Sequence, residues 1–132
     1  MSSNTKLRVY PKFWTRAYVE SRPNCLFIFG DNDIRKGVGG QAVIRGLPNA
    51  IGIPSKKYPN NNPTSFYTDL EYNANCRKID RAIQNIIDES ANYKYVVLPQ
   101  NGIGTGLAKL PNLAPRTFEY LSQRLKELKY VI

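Results

Sequence analysis

Apolar residues along this chain fall into two patterns: short unbroken runs, and longer stretches in which they recur every three or four positions. Cys25-Leu26-Phe27-Ile28-Phe29, bounded by Pro23-Asn24 and Gly30-Asp31, is an unbroken run of the kind found in a central strand buried on both faces. Tyr93–Leu98 is a second such run, Ala50–Pro54 a shorter one, and Lys6–Tyr10 a short leading strand. Pro11 opens a helix predicted to run to about Ser21, and Gly40–Arg45 reads as a short helix. The longest helix is predicted from about Thr68 to Ser90, because Tyr72, Cys76, Ile79, Ile83, Ile86 and Ile87 share one face. A last amphipathic helix is expected over Leu113–Leu128, carrying Leu113, Phe118, Leu121, Leu125 and Leu128, with Tyr130–Ile132 as a final edge strand. Tyr58–Ser65, rich in Asn and Pro, reads as a surface loop. Strands alternating with helices define an α/β domain around a mixed, largely parallel sheet.

Composition narrows this picture. The 132 residues make a single domain, 1–132, with 42% apolar residues and no low-complexity tract, repeat or linker. No apolar run reaches the length of a membrane span, and Met1–Lys6 is short and polar with no signal-type core, so a cytoplasmic protein without membrane contact is expected. Two cysteines and no histidine assemble neither Cys₂His₂ nor Cys₄, and serine or cysteine catalysis through histidine is excluded; no metal and no cofactor is expected. Cys25 and Cys76 read as apolar packing rather than a disulfide. The formal charge of +9 points to an anionic partner. Its cations are dispersed (Arg35/Lys36, Lys56/Lys57, Arg77/Lys78, Lys126/Lys129) and form no basic tail.

Two glycine-rich loops carry the candidate chemistry. The first, Gly30–Ala42, holds Gly37, Gly39 and Gly40 and follows the Cys25–Phe29 strand; the second follows Leu98-Pro99 and holds Gly102, Gly104 and Gly106. Glycine lets backbone N–H groups crowd around a bulky anion, and glycines opening a helix add its unpaired donors. Both loops leave the carboxyl ends of strands, where ligands bind in parallel sheets. Gly37–Ala42 satisfies G-x-G-x-x-A, but seven residues separate it from Phe29, and Ser55-Lys56-Lys57 stands where a dinucleotide site has its acid. No Walker A sequence is present.

Taken in order, the loops resemble those of the macrodomain superfamily of ADP-ribose-binding modules. Asn32 and Gly37–Ala42 match the Asn turn and glycine cluster that cover the distal ribose. Pro99 and Gly102–Leu107 match the proline and loop that wrap the diphosphate. Ile103-Gly104-Thr105-Gly106-Leu107-Ala108-Lys109-Leu110 is most similar to the branch containing terminal ADP-ribose glycohydrolase and the antitoxins that reverse DNA ADP-ribosylation. Ile53–Lys57 followed by Pro63–Phe66 and a long helix is also similar to that branch. The similarity covers about residues 25–125 and lacks an N-terminal strand or two of the family.

The resemblance implies a three-layer α/β/α fold and ligand contacts from Asn32, Gly37, Gly39, Gly40, Gln41, Pro99, Gly102, Ile103, Gly104, Thr105, Gly106 and Leu107. It implies ADP-ribose, or an ADP-ribosylated protein or nucleic acid, as partner; a monomer is expected. If the chain is an enzyme, it implies an ADP-ribosyl glycohydrolase or related ester hydrolase with Lys56 or Lys57 as nucleophile. The family's acid falls on Ala108, so Asp31 or Asp33 would have to replace it; Asp31 is also a candidate for the adenine amine. Asp69 and Glu71 read as helix caps, and Phe13, Trp14, Phe66 and Tyr67 as packing. The competing expectation is a basic nucleic-acid-binding protein without catalysis, using its charge and nine tyrosines.

Overall fold

The sheet at the centre of the molecule is built from β1 (Leu7–Tyr10), β2 (Cys25–Asn32), β3 (Ala50–Lys56) and β4 (Tyr95–Pro99), in the order β1-β4-β2-β3. This is a computed structural model, and it describes residues 6–132; Met1–Thr5 of the polar leading segment lies outside them. Every strand pairing is parallel, so the sheet is less mixed than expected. The one antiparallel contact among the described residues is an isolated bridge between Lys56 and Phe66.

The helices are α1 (Arg16–Glu20), α2 (Tyr72–Ser90), α3 (Leu110–Leu113) and α4 (Pro115–Glu127). The two-residue period of β2 divides its apolar run between two cores. Leu26 and Ile28 join Ile79, Ile83, Ile86, Leu121 and Leu128 on one side. Phe27 and Phe29 join Trp14, Val19, Ile44 and Leu47 on the other. The first side is thickly covered by α2 and α4. The second is covered only by α1 and a 3₁₀ turn, Gly40–Ile44.

Several boundaries differ from the periodicity, each for a local reason. α1 starts at Arg16 rather than Pro11, because Thr15 caps it: its hydroxyl accepts the Tyr18 N–H at 3.0 Å. The preceding segment leaves Phe13 84% exposed, against the packing expected of it, while Trp14 is buried. The predicted last helix is broken at Ala114 (φ −145°, ψ 65°), since Pro115 keeps the residue before it out of the helical region. No final strand forms: Leu128–Tyr130 is a 3₁₀ turn and Tyr130 is exposed.

Asp69 does cap a helix, but α4 rather than its own. Its carboxylate accepts the N–H groups of Arg116 (2.9 Å) and Thr117 (3.0 Å) and the Thr117 hydroxyl (2.9 Å). Burial pushes the Asp69 carboxyl up, but these hydrogen bonds outweigh it and hold the group below its ordinary value. A depressed carboxyl stabilises the fold above its unfolded value and stops doing so as pH falls through the folded one. Asp69→Ala is expected to cost about 1 kcal/mol, as N-cap removals do. The difference from the parent should be full at pH 7 and should shrink toward pH 3 in chemical denaturation.

No helix of the described residues is long and apolar enough to cross a membrane.

Candidate functional site

Both glycine loops open onto one cleft of about 440 Å³ at the carboxyl edge of the sheet. The first loop lines it with Asn32, Gly37, Gly39, Gly40 and Gln41, and the second with Gly104, Thr105, Gly106 and Leu107. Asn60 and Asn61, from the segment read as a plain surface loop, form a third wall with Pro59. The volume suits a small-molecule ligand.

Among the described residues, no protein acceptor takes the backbone N–H of Gly37, Val38 or Gly39, nor of Gly104, Thr105, Gly106 or Leu107. Gly104 is buried and the other six are exposed, so these donors are open to water or to an anion entering the cavity. The 3₁₀ turn at Gly40–Ile44 is only five residues long, and the helix-dipole contribution expected of it is correspondingly small.

The polar side chains of Asn32, Gln41 and Thr105 hold the loops. Asn32 donates to the Lys36 carbonyl (2.8 Å) and accepts the Lys36 N–H (3.3 Å), closing its own turn. Gln41 accepts the Gly30 N–H (2.8 Å) and donates to the Gly102 carbonyl (2.9 Å), tying β2 to the second loop. The indole N–H of Trp14 donates to the Gln41 carbonyl at 3.1 Å. Thr105 closes its own turn on the Asn101 carbonyl. Ile103 is buried in the core, and Pro99 and Gly102 do not line the cleft.

Arg45, which the sequence did not mark, organises the first loop. Its Nη1 meets Asp31 Oδ1 at 2.6 Å, Nε donates to the Gly37 carbonyl (2.9 Å) and Nη2 to the Lys36 carbonyl (3.2 Å). The same Asp31 oxygen accepts the Asn32 N–H at 2.7 Å. Its other oxygen rests on Gly52, where an added Cβ would stand 2.5 Å from it. Asp31 is therefore held through Oδ1, while Oδ2 accepts no protein hydrogen bond among the described residues. Asp33 is held too, accepting the Tyr67 hydroxyl (2.5 Å) and pairing with Lys78 (2.7 Å). Burial, then the bond to Asp33, pushes the Tyr67 hydroxyl well up.

Gly52→Ala should expel the Asp31 side chain and release Arg45 from the first loop. We expect a loss on the order of 2 kcal/mol in stability, as for overpacked sites, together with loss of ligand binding at the cleft. Thermal melts and calorimetry of the variant check both.

The structure separates the two lysines. Lys56 lines the cleft, is 8% exposed, and donates from Nζ to the Asn60 carbonyl at 2.9 Å. Its ammonium lies 4.5 Å from the Phe66 ring centroid. Burial, then the charge of Lys109, holds the Lys56 amine below its ordinary value. Lys57 lies outside the cleft, paired with Glu71 at 2.5 Å. Phe66 and Tyr67 are buried. Asp31 is the one carboxylate in the cleft, against Lys36, Arg45 and Lys56. Ala108 lines the wall where the resemblance would place an acid. Among the described residues, no group of three His, Cys, Asp or Glu side chains is placed to hold a metal ion.

A second, smaller cavity of about 390 Å³ adjoins the first through Phe13, Gly40, Gln41 and Asn101. Pro11, Trp14 and Pro99 make its walls largely apolar.

Fold and site together define a parallel α/β domain with a cationic, amide-lined cleft at its carboxyl edge. Residues 9–124 match a family of unknown function (DUF7831), and the chain belongs to that family. No curated protein and no solved structure matches it.

Proposed function

We propose that the protein binds ADP-ribose, or a closely related nucleotide diphosphate, in this cleft, within a three-layer macrodomain-like fold. The observation that carries the reading is the pair of unclaimed amide runs, Gly37–Gly39 and Gly104–Leu107, around one cavity. Three cations against one carboxylate favour a dianion such as a diphosphate. The apolar cavity behind Phe13 suits a planar, uncharged part of the same ligand, with the exposed ring as a stacking face. Calorimetry with free ADP-ribose tests the reading, and no heat of binding at millimolar ligand would sink it. Phe13→Ala should weaken ADP-ribose about tenfold and leave inorganic diphosphate unaffected, since one aromatic contact is worth roughly 1.4 kcal/mol.

A catalytic extension, removal of ADP-ribose from a macromolecule, is favoured by the place of Lys56. A neutral Lys56 amine would attack the anomeric carbon. The new C–N bond would replace the bond to the modified group, which leaves with its electron pair and takes up a proton; water would then displace the lysine from the anomeric carbon, releasing ADP-ribose and restoring the amine. Such attack needs the free base, so the rate should rise with pH and level off above an inflection lying below the ordinary lysine value of 10.5. With an ADP-ribosylated protein or oligonucleotide as substrate, Lys56→Ala should abolish turnover and Lys57→Ala should retain it. Equal rates for the parent and Lys56→Ala would remove lysine from the reaction.

A further inference from the structure

One side of the sheet gathers several cation–aromatic pairs on a single face. Arg8 on β1 and Tyr95 on β4 lie on this side, with the Arg8 guanidinium carbon 4.6 Å from the Tyr95 ring centroid. Lys94 Nζ lies 5.4 Å from the same centroid. Just past α1, the Arg22 guanidinium carbon lies 4.9 Å from the ring of Tyr18 on that helix, and Tyr18 packs on Tyr10 with centroids 4.7 Å apart. Cys25 joins the two groups: it pairs in register with Tyr95, and the charges of both Arg22 and Lys94 act on its thiol. The row continues from Tyr10 to Trp14, 6.3 Å centroid to centroid.

The cations and tyrosine hydroxyls of this face are open to an outside partner. Among the described residues, none of Arg8, Arg22 and Lys94 meets a carboxylate, whereas Lys57, Lys78, Arg45 and Arg124 each do. The hydroxyls of Tyr10, Tyr18 and Tyr95 likewise find no protein partner, whereas those of Tyr67, Tyr93 and Tyr120 all do. Aromatic rings interleaved with unpaired cations are what single-stranded nucleic acid requires: the cations follow the phosphates, while bases stack on rings and guanidinium planes. An acidic peptide would use the charges but leave the rings idle.

We propose that this face, centred on Arg8, Tyr95, Lys94, Arg22 and Tyr18, binds single-stranded nucleic acid without sequence preference. The proposal is independent of what occupies the cleft.

Fluorescence anisotropy with a labelled oligothymidine tests it on the full chain. Binding should weaken with salt at a log–log slope of about −2, since three cations each contribute roughly −0.7 on single strands. Arg8→Ala/Lys94→Ala, at two exposed positions, should weaken binding at least about tenfold and bring the slope to roughly −0.7. Tyr10→Leu, which keeps the apolar packing, should weaken it severalfold with the slope unchanged. Arg77→Ala/Arg81→Ala removes the same charge from exposed positions on α2 and should leave binding as it was. Gly106→Val, which obstructs the cleft, should also leave it as it was, so failure here and failure of the ADP-ribose reading are told apart. No binding at low salt, equal losses from the two double variants, or equal affinity for polyglutamate would each overturn the proposal.

Discussion

Gly106→Val is expected to weaken ADP-ribose binding about 100-fold or more and to leave the fold intact. Gly106 lines the cleft, its backbone lies outside the left-handed region, and a Cβ built on it meets no atom within 4 Å. The fold therefore tolerates a side chain there, and stability should stay within about 0.5 kcal/mol of the parent. The ligand should not tolerate it. A valine beside the amides of Thr105, Gly106 and Leu107 keeps an anion from closing on them, and charge-assisted hydrogen bonds are worth roughly 1.5–3 kcal/mol each. Losing two of them weakens binding about 100-fold or more. Calorimetry and a thermal melt of the same preparation measure both quantities. Unchanged affinity would show that the diphosphate does not lie against the second loop.

The parts of this molecule legible in the sequence are those fixed by local pattern. β2 is an apolar run bounded by turn residues, and the pattern located it to within three residues of its observed end at Asn32. The long helix was legible because its apolar face repeats, although Asn75 is buried there among aliphatic neighbours. Its amide donates to the Thr68 carbonyl and the Thr117 hydroxyl, partners from other elements. Both glycine loops could be read as one site because each leaves a strand at the same sheet edge. What holds them open could not. Arg45, Asp31 and Gly52 come from three segments and meet only in the folded chain, and nothing in the spacing of Gly52 announces that a carboxylate must pass over it. The bridge that the Gln41 side chain makes between Gly30 and Gly102 was equally hidden, since residue type cannot say which neighbouring loop an amide will meet. Lys56 and Lys57 are adjacent in sequence, but alternation along the strand sends one into the cleft and the other to Glu71.

Gly104 is the opposite case from Gly106, two residues away. Its φ is +83°, in the left-handed region, and a Cβ there would stand 2.9 Å from Leu110 Cδ2 and 3.1 Å from Leu110 Cβ. Leu110 is fully buried in the larger core, and its N–H donates to the Gly104 carbonyl at 2.9 Å. A side chain at 104 would thus strike the protein rather than the ligand. The left-handed backbone costs a β-branched residue roughly 1–3 kcal/mol, and forcing Leu110 aside costs about 1–3 more. Gly104→Val should therefore lower stability by on the order of 3 kcal/mol, a drop of roughly 10 °C in Tm for a domain of this size. Its ligand binding should fail through the fold. Gly104→Ala should lose less but keep the same sign, because it keeps the strained φ with a smaller clash. A Gly104→Val protein that melts with the parent would mean that the loop does not pack on Leu110.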